Sequence, residues 1–177
     1  MFKKIAAGAV VVLVVFLGYV ATRPGHFQYE RSGIIDAPPE RIYPYLVDFQ
    51  KGNEWSPYEK MDPNMKKTYS GTGGVPGAVM TFDGNSNVGS GSLELLKTEV
   101  NKSAEIRLRM TKPMAAENLI VYTLTPEGEG TRFTWSMSGD GGFIGKLMSV
   151  FIDCEKMIGG QFEQGIANLK AIAEAKS

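Results

Sequence analysis

The chain opens on an unbroken apolar run. Residues 5–22 carry no charge, and Val10 to Leu17 contains no polar side chain; Lys3 and Lys4 precede the run and Arg23-Pro24-Gly25 closes it. At about 1.5 Å per residue, such a helix is roughly 27 Å long, just enough to cross a hydrocarbon core. A helix of this length buried in a soluble core normally keeps polar residues on one face. The pattern therefore predicts a transmembrane signal-anchor helix over 5–22, after a short 1–4 terminus and before a 23–26 linker. A cleaved signal peptide is the competing reading, but Tyr19-Val20-Ala21 is a poor small-x-small cleavage site. No cysteine lies near the end of the run for lipid attachment.

From His26 the pattern changes. His26 to Ile35 is rich in β-formers and predicts a strand, ended by Asp36-Ala37-Pro38-Pro39. The prolines suit a helix start, Glu40 sits in the first turn, and Ile42, Tyr45, Leu46 and Phe49 recur at helical spacing. That predicts one helix ending near Gly52. Trp55-Ser56-Pro57-Tyr58 and Asp62-Pro63-Asn64 read as an irregular link with one further helical turn. Short strands follow: Lys66–Ser70, Ala78–Phe82, Val88–Thr98, Ala104–Thr111, Glu117–Thr125 and Thr131–Ser138. Between them lie a Gly71–Gly77 loop, Asp83-Gly84-Asn85, Asn101-Lys102 and Pro126 to Gly130, all turn signals. Ile106, Leu108 and Met110 alternate with Arg107, Arg109 and Thr111, as a half-buried strand requires.

After Gly139-Asp140-Gly141-Gly142, one long helix is predicted to the C-terminus. Its stripe is Leu147, Phe151, Cys154, Ile158, Phe162, Ile166, Leu169 and Ile172. Gly159-Gly160 interrupts the stripe and predicts a kink or a close approach to the sheet. The order strand, helix, run of antiparallel strands, long helix is an α+β pattern: a curved sheet with one helix on its concave face.

Composition narrows the chemistry. Lys+Arg and Asp+Glu are equal at 19, so no basic excess is present to neutralise a nucleic acid. One cysteine and one histidine leave no zinc set and no histidine-dependent triad in the 27–177 domain. Cys154 reads as an inert thiol on the apolar stripe. Gly71 to Gly77 lacks the features of a phosphate-binding loop. No catalytic residue, metal or cofactor is expected. Lys3 and Lys4 predict a cytoplasmic N-terminus with the domain on the other side, periplasmic if the source is bacterial.

The ordered set of segments resembles the SRPBCC superfamily, which includes START-like proteins and the polyketide cyclase/dehydrase group. The opening Ile34-Ile35-Asp36-Ala37-Pro38-Pro39-Glu40-Arg41-Ile42-Tyr43 is similar to its strand–helix start. Trp55-Ser56-Pro57-Tyr58, Gly130-Thr131-Arg132-Phe133-Thr134-Trp135 and Phe162 to Lys170 are similar to its aromatic segment, late hairpin and C-terminal helix. The resemblance covers nearly all of 27–175 and implies a helix-grip fold: an antiparallel sheet around a long C-terminal helix, enclosing an apolar cavity. It implies binding of a hydrophobic small molecule or lipid.

The residues expected to point inward are Met80, Phe82, Leu93, Leu95, Ile106, Leu108, Met110, Ile120, Tyr122, Phe133, Trp135 and Met137. Phe151 and Ile158 join them from the C-terminal stripe, and Trp55 and Tyr58 from the link. They either line a cavity or fill an ordinary core, since any sheet–helix pair needs such residues. Trp55, Tyr58 and Glu59 are placed to gate a cavity mouth, or Trp55 plugs one end of the core. Asp83, Glu94 and Glu117, with Arg107 and Arg109, are expected on the outer face. The expected function is a membrane-anchored binding domain for a hydrophobic small molecule or lipid; the alternatives are a cyclase- or dehydratase-like enzyme using the same cavity, and a tethered interaction domain with a solid core.

Overall fold

Alternation decides the sheet. His26–Ile35 alternates exposed and half-buried side chains along its length and forms β1, with the expected bounds. The structure, a computed structural model, describes residues 2–175, and the side chains of 5 and 8–175. Six further strands follow: β2 Lys66–Ser70, β3 Val79–Asp83, β4 Ser90–Glu99, β5 Ser103–Lys112, β6 Ala116–Glu127 and β7 Gly130–Asp140. All neighbours are antiparallel, in the order β1-β7-β6-β5-β4-β3-β2. The first strand thus pairs with the last. The other neighbours are consecutive in the chain, so short turns suffice to join them.

Turn signals mark the hairpins but not their lengths. The Asp83-Gly84-Asn85 signal opens a longer loop, in which the Asn85 carbonyl accepts from Val88 and Gly89 and its Oδ1 accepts from Asn87 N at 2.8 Å. The Pro126–Gly130 signal shrinks to Gly128-Glu129, with Pro126 inside β6. Pro126 lies past the last β5 partner of that strand, Thr123, so no bond to β5 needs its missing N–H.

Both predicted long helices are broken. The first divides into α2, Pro39–Val47, and α3, Phe49–Gly52. Asp48 between them is extended, and its side chain accepts from Gln50 N at 2.9 Å, which makes it the N-cap of a new helix. A single turn, α4 Tyr58–Met61, follows as expected. The C-terminal helix divides into α5, Gly142–Phe151, and α6, Cys154–Ala175. Ile152 is extended, and Asp153 Oδ1 accepts from Lys156 N at 3.0 Å, again an aspartate cap inside an apolar run. Gly159-Gly160 does not end the helix, and Gly159 makes the close approach to the sheet: a Cβ there would collide with the Arg31 guanidinium of β1.

The core lies between α6, α2 and the concave face of the sheet. Gly33 and Gly165 let α6 settle: a Cβ on Gly33 would meet Ile166 at 2.7 Å, and one on Gly165 would meet the Trp135 ring at 2.6 Å. Phe162 lies flat on Trp135, with ring centroids 4.2 Å apart. The outer face carries ion pairs, as alternation requires: Glu94 with Arg107 at 3.1 Å, and Glu117 with Arg109 at 2.9 Å.

The apolar N-terminal run lies in α1, Phe2–Thr22. Its Val10 to Val15 side chains are exposed, Val20 is buried, and Phe16 packs against Phe151 of α5 at 6.1 Å between centroids. Among residues whose side chains are described, no helix is long and apolar enough to cross a membrane.

Candidate functional site: an internal apolar cavity

The concave side of the sheet is not filled. α6 packs along β1 and, through Gly165, against Trp135 of β7. The inward side chains of β3, β4 and β5 face open space instead. A cavity of about 600 Å³ remains, roofed by the link after α2 and by the first turns of α6. That volume lies within the roughly 300–1,000 Å³ range of small-molecule sites.

The walls follow from period two. Met80 and Phe82 of β3, Leu93 of β4, and Ile106, Leu108 and Met110 of β5 line the cavity; so do Ile120 and Tyr122 of β6, and Trp135 and Met137 of β7. Trp55, Tyr58 and Glu59 close it from the link, and Ile158 from α6. Trp55 is not a gate. It is 3% exposed, its Nε1 donates to the Tyr45 carbonyl at 2.8 Å, and its ring meets Tyr122 and Trp135 edge-on at 5.9 and 5.2 Å.

Three expected residues do not line the cavity. Leu95 sits where β4 slips register against β5 between Leu95 and Lys97, and it is sealed in the packed core. Phe133 is 0% exposed and lies behind Tyr122, with ring centroids 5.6 Å apart, as solid core. Phe151 is 71% exposed, because the break at Ile152 turns α5 away from the sheet. Cys154 opens α6 half-buried, outside the cavity.

Other lining residues were missed. Phe162 was on the stripe but not singled out for the cavity, although its ring forms part of the wall. Asn118 precedes Ile120 and Tyr122 by the same two-residue step, so alternation alone places it inward. Met61, Met65 and Met157 come from helix ends and the link, where no periodicity marks them, and Gln161, three residues after Ile158, is a polar residue beside the apolar stripe.

The charged groups on the wall are engaged. Glu59 pairs with Lys67 at 2.5 Å, Lys67 Nζ also donates to Asn53 Oδ1 at 3.1 Å, and Asn53 Nδ2 donates to the Tyr69 hydroxyl at 2.7 Å. Asp48 is held by its capping bond. Burial pushes the Tyr58 phenol up to about 12, and burial together with the nearby Tyr58 raises Tyr122. Among the described residues no group of three His, Cys, Asp or Glu side chains could hold a metal ion.

Solved structures share this architecture. A protein from Chromobacterium violaceum aligns over 86% of this chain and 99% of its own, with TM-score 0.59 and 16% identity. A Mesorhizobium loti protein aligns over 85% and 99%, with TM-score 0.60 and 18% identity. A Rhizobium leguminosarum protein aligns over 85% and 95%, with TM-score 0.62 and 12% identity. At these identities the likeness is one of fold. No curated protein matches the chain. Residues 26–174 match the family described as polyketide cyclase / dehydrase and lipid transport, and they span β1 through nearly all of α6. With its sheet, its C-terminal helix and the cavity between them all inside the matched segment, the chain belongs to the polyketide cyclase/dehydrase and lipid transport family.

Proposed function

We propose that this chain is a membrane-anchored binding domain for a hydrophobic small molecule or lipid, held in the internal cavity. The observation that carries the reading is the cavity of about 600 Å³ with walls of Met, Leu, Ile and aromatic side chains. A core built only for stability packs close to crystal density and leaves few voids larger than a water molecule. A solid-core interaction domain therefore accounts poorly for this space. The methionines Met61, Met65, Met80, Met110, Met137 and Met157 give the wall an adaptable surface.

Anchoring is supported by the uncharged 5–22 run within α1 and by the surface beside it. α5 packs on α1, with Lys146 Nζ donating to the Ala21 carbonyl at 3.1 Å, and Phe143, Ile144, Met148 and Phe151 stay exposed on α5. An apolar ridge beside an apolar helix suits a bilayer interface. In this reading the N-terminus is cytoplasmic and the domain lies across the membrane.

Native mass spectrometry of the full-length chain released from lipid nanodiscs tests binding. A co-purified or reloaded apolar mass is expected; a clean apo mass after incubation with lipid extracts overturns the reading. Alkaline carbonate extraction tests the anchor, which predicts retention in the membrane pellet. Recovery in the supernatant removes the anchor and leaves the cavity.

A second reading, acid–base chemistry in the same cavity, is favoured by one observation: the Glu59 carboxylate lies on the wall. Glu59→Gln should abolish turnover of any substrate under that reading, and leave ligand affinity within a few-fold under the first.

A further inference from the structure

The cavity wall holds two tyrosine hydroxyls with nothing to bond. Among the described residues, neither the Tyr58 hydroxyl nor the Tyr122 hydroxyl has a hydrogen-bond partner. Tyr122 is 7% exposed and is held among the rings of Trp55, Phe133 and Trp135, at 5.9, 5.6 and 5.5 Å between centroids. Polar atoms that are both sealed and unpartnered are Arg23 Nε, Asn118 Oδ1 and Trp135 Nε1. The two phenol oxygens are not among these, so they open onto accessible space; both side chains line the cavity, which is that space. Trp135 Nε1, by contrast, is shut off from the cavity and from any ligand in it.

The wall also restricts charge. Among the described residues no Lys, Arg or His lines the cavity, and both lining carboxylates, Asp48 and Glu59, are already engaged. A carboxylate or phosphate head entering here would lose its hydration without gaining a counter-charge, which is strongly unfavourable. A carbonyl oxygen has two lone pairs and is neutral, matching two phenol donors.

We propose that Tyr58 and Tyr122 form a two-hydroxyl subsite that selects an uncharged, largely apolar ligand carrying a carbonyl oxygen. This rests on the ligand-binding reading above. Burial keeps both phenols protonated across the physiological range, so they remain donors.

A matched pair of probes tests it: 2-hexanoylnaphthalene, a ketone, and 2-hexylnaphthalene, its hydrocarbon counterpart. Both are titrated against the full-length chain in phosphatidylcholine nanodiscs, with partition into empty discs subtracted. Two neutral hydrogen bonds should give the ketone an advantage of about tenfold. The Tyr58→Phe/Tyr122→Phe double variant should bring that ratio near unity, with each single variant intermediate. The infrared carbonyl stretch of the bound ketone should lie below its value in hexane for the wild type. That readout holds whether or not the double variant folds. Equal wild-type binding of the two probes, an unshifted carbonyl stretch, or a preference that survives in the folded double variant overturns the subsite and leaves the cavity reading standing. If neither probe binds, the cavity reading falls and the subsite with it.

Discussion

α5 and α6 from Phe162 onward carry the same apolar spacing and live in opposite surroundings. In α6, Phe162, Ile166 and Leu169 are buried against the sheet; in α5, Phe143, Ile144, Met148 and Phe151 are exposed and lie beside α1. Periodicity at three and four residues defines a face of a helix. It does not say what covers that face. The divider is Asp153, whose side chain caps Lys156 N and starts a new helix in the middle of one continuous stripe. The break frees α5 from the sheet and lets α6 cross β1 at the angle its glycines permit.

The largest test of this contrast is a pair of truncations. Phe162→Ala, which removes a ring that is 1% exposed and stacked on Trp135, should cost about 3–5 kcal/mol in chemical denaturation. Phe151→Ala should stay within about 0.5 kcal/mol. Similar costs at the two sites would mean that α5 is as much part of the core as α6.

The enclosed side of the contrast also predicts an alkaline limit. An unfolded tyrosine ionises near pH 10, whereas Tyr58 in the fold holds its proton to about 12. Above pH 10 the unfolded state sheds a proton that the folded state keeps. Stability from this group is therefore complete below pH 10 and is lost as pH rises through 12, with Tyr122 acting in the same direction. Denaturation midpoints measured from pH 9 to 12 should fall, and Tyr58→Phe should flatten the slope. A flat wild-type profile would mean that the phenols are solvated.

Removing the divider is a smaller perturbation. Asp153→Ala should cost about 1 kcal/mol through loss of the cap, read as a lower denaturation midpoint with greater amide exchange in the first turn of α6. The smallest effect has opposite signs at adjacent residues. A Cβ on Gly160 meets nothing within 4 Å, so Gly160→Ala should stabilise by about 0.4–1 kcal/mol. A Cβ on Gly159 would lie 2.2 Å from Arg31 Nη2, in a guanidinium tied to Glu163 at 2.8 Å. Gly159→Ala should bring no gain, and thermal melts of the two variants separate them.

Much of the sheet was legible before the structure. β1 and β2 fall at their expected bounds, and the inward residues of β3, β5 and β7 follow from alternation alone. The exceptions have local causes. Leu95 is inward as counting by twos expects, paired with Ile106, but it is sealed in packed core and does not reach the cavity. Phe133 is inward as expected, but whether an inward ring meets space or another ring depends on where α6 lies. Asp48 and Asp153 were readable as helix-starting residues, yet each sits in an apolar rhythm strong enough to hide it. The Lys67–Glu59 pair joins a strand to the link eight residues earlier, and no spacing rule brings them together.

The sequence by itself determined the order of strands and helical regions, the inward face of most strands, the uncharged N-terminal run and the scarcity of catalytic chemistry, because these depend on local spacing and composition. The cavity was decided only by the tertiary structure. An apolar residue satisfies the same pattern whether it meets a neighbour or a void. The difference lies in the path of α6, set by Gly33 and Gly165 where helix and sheet meet. The two unpartnered phenols facing the cavity became visible only in the assembled fold, because whether a polar group finds a partner is a property of the tertiary structure.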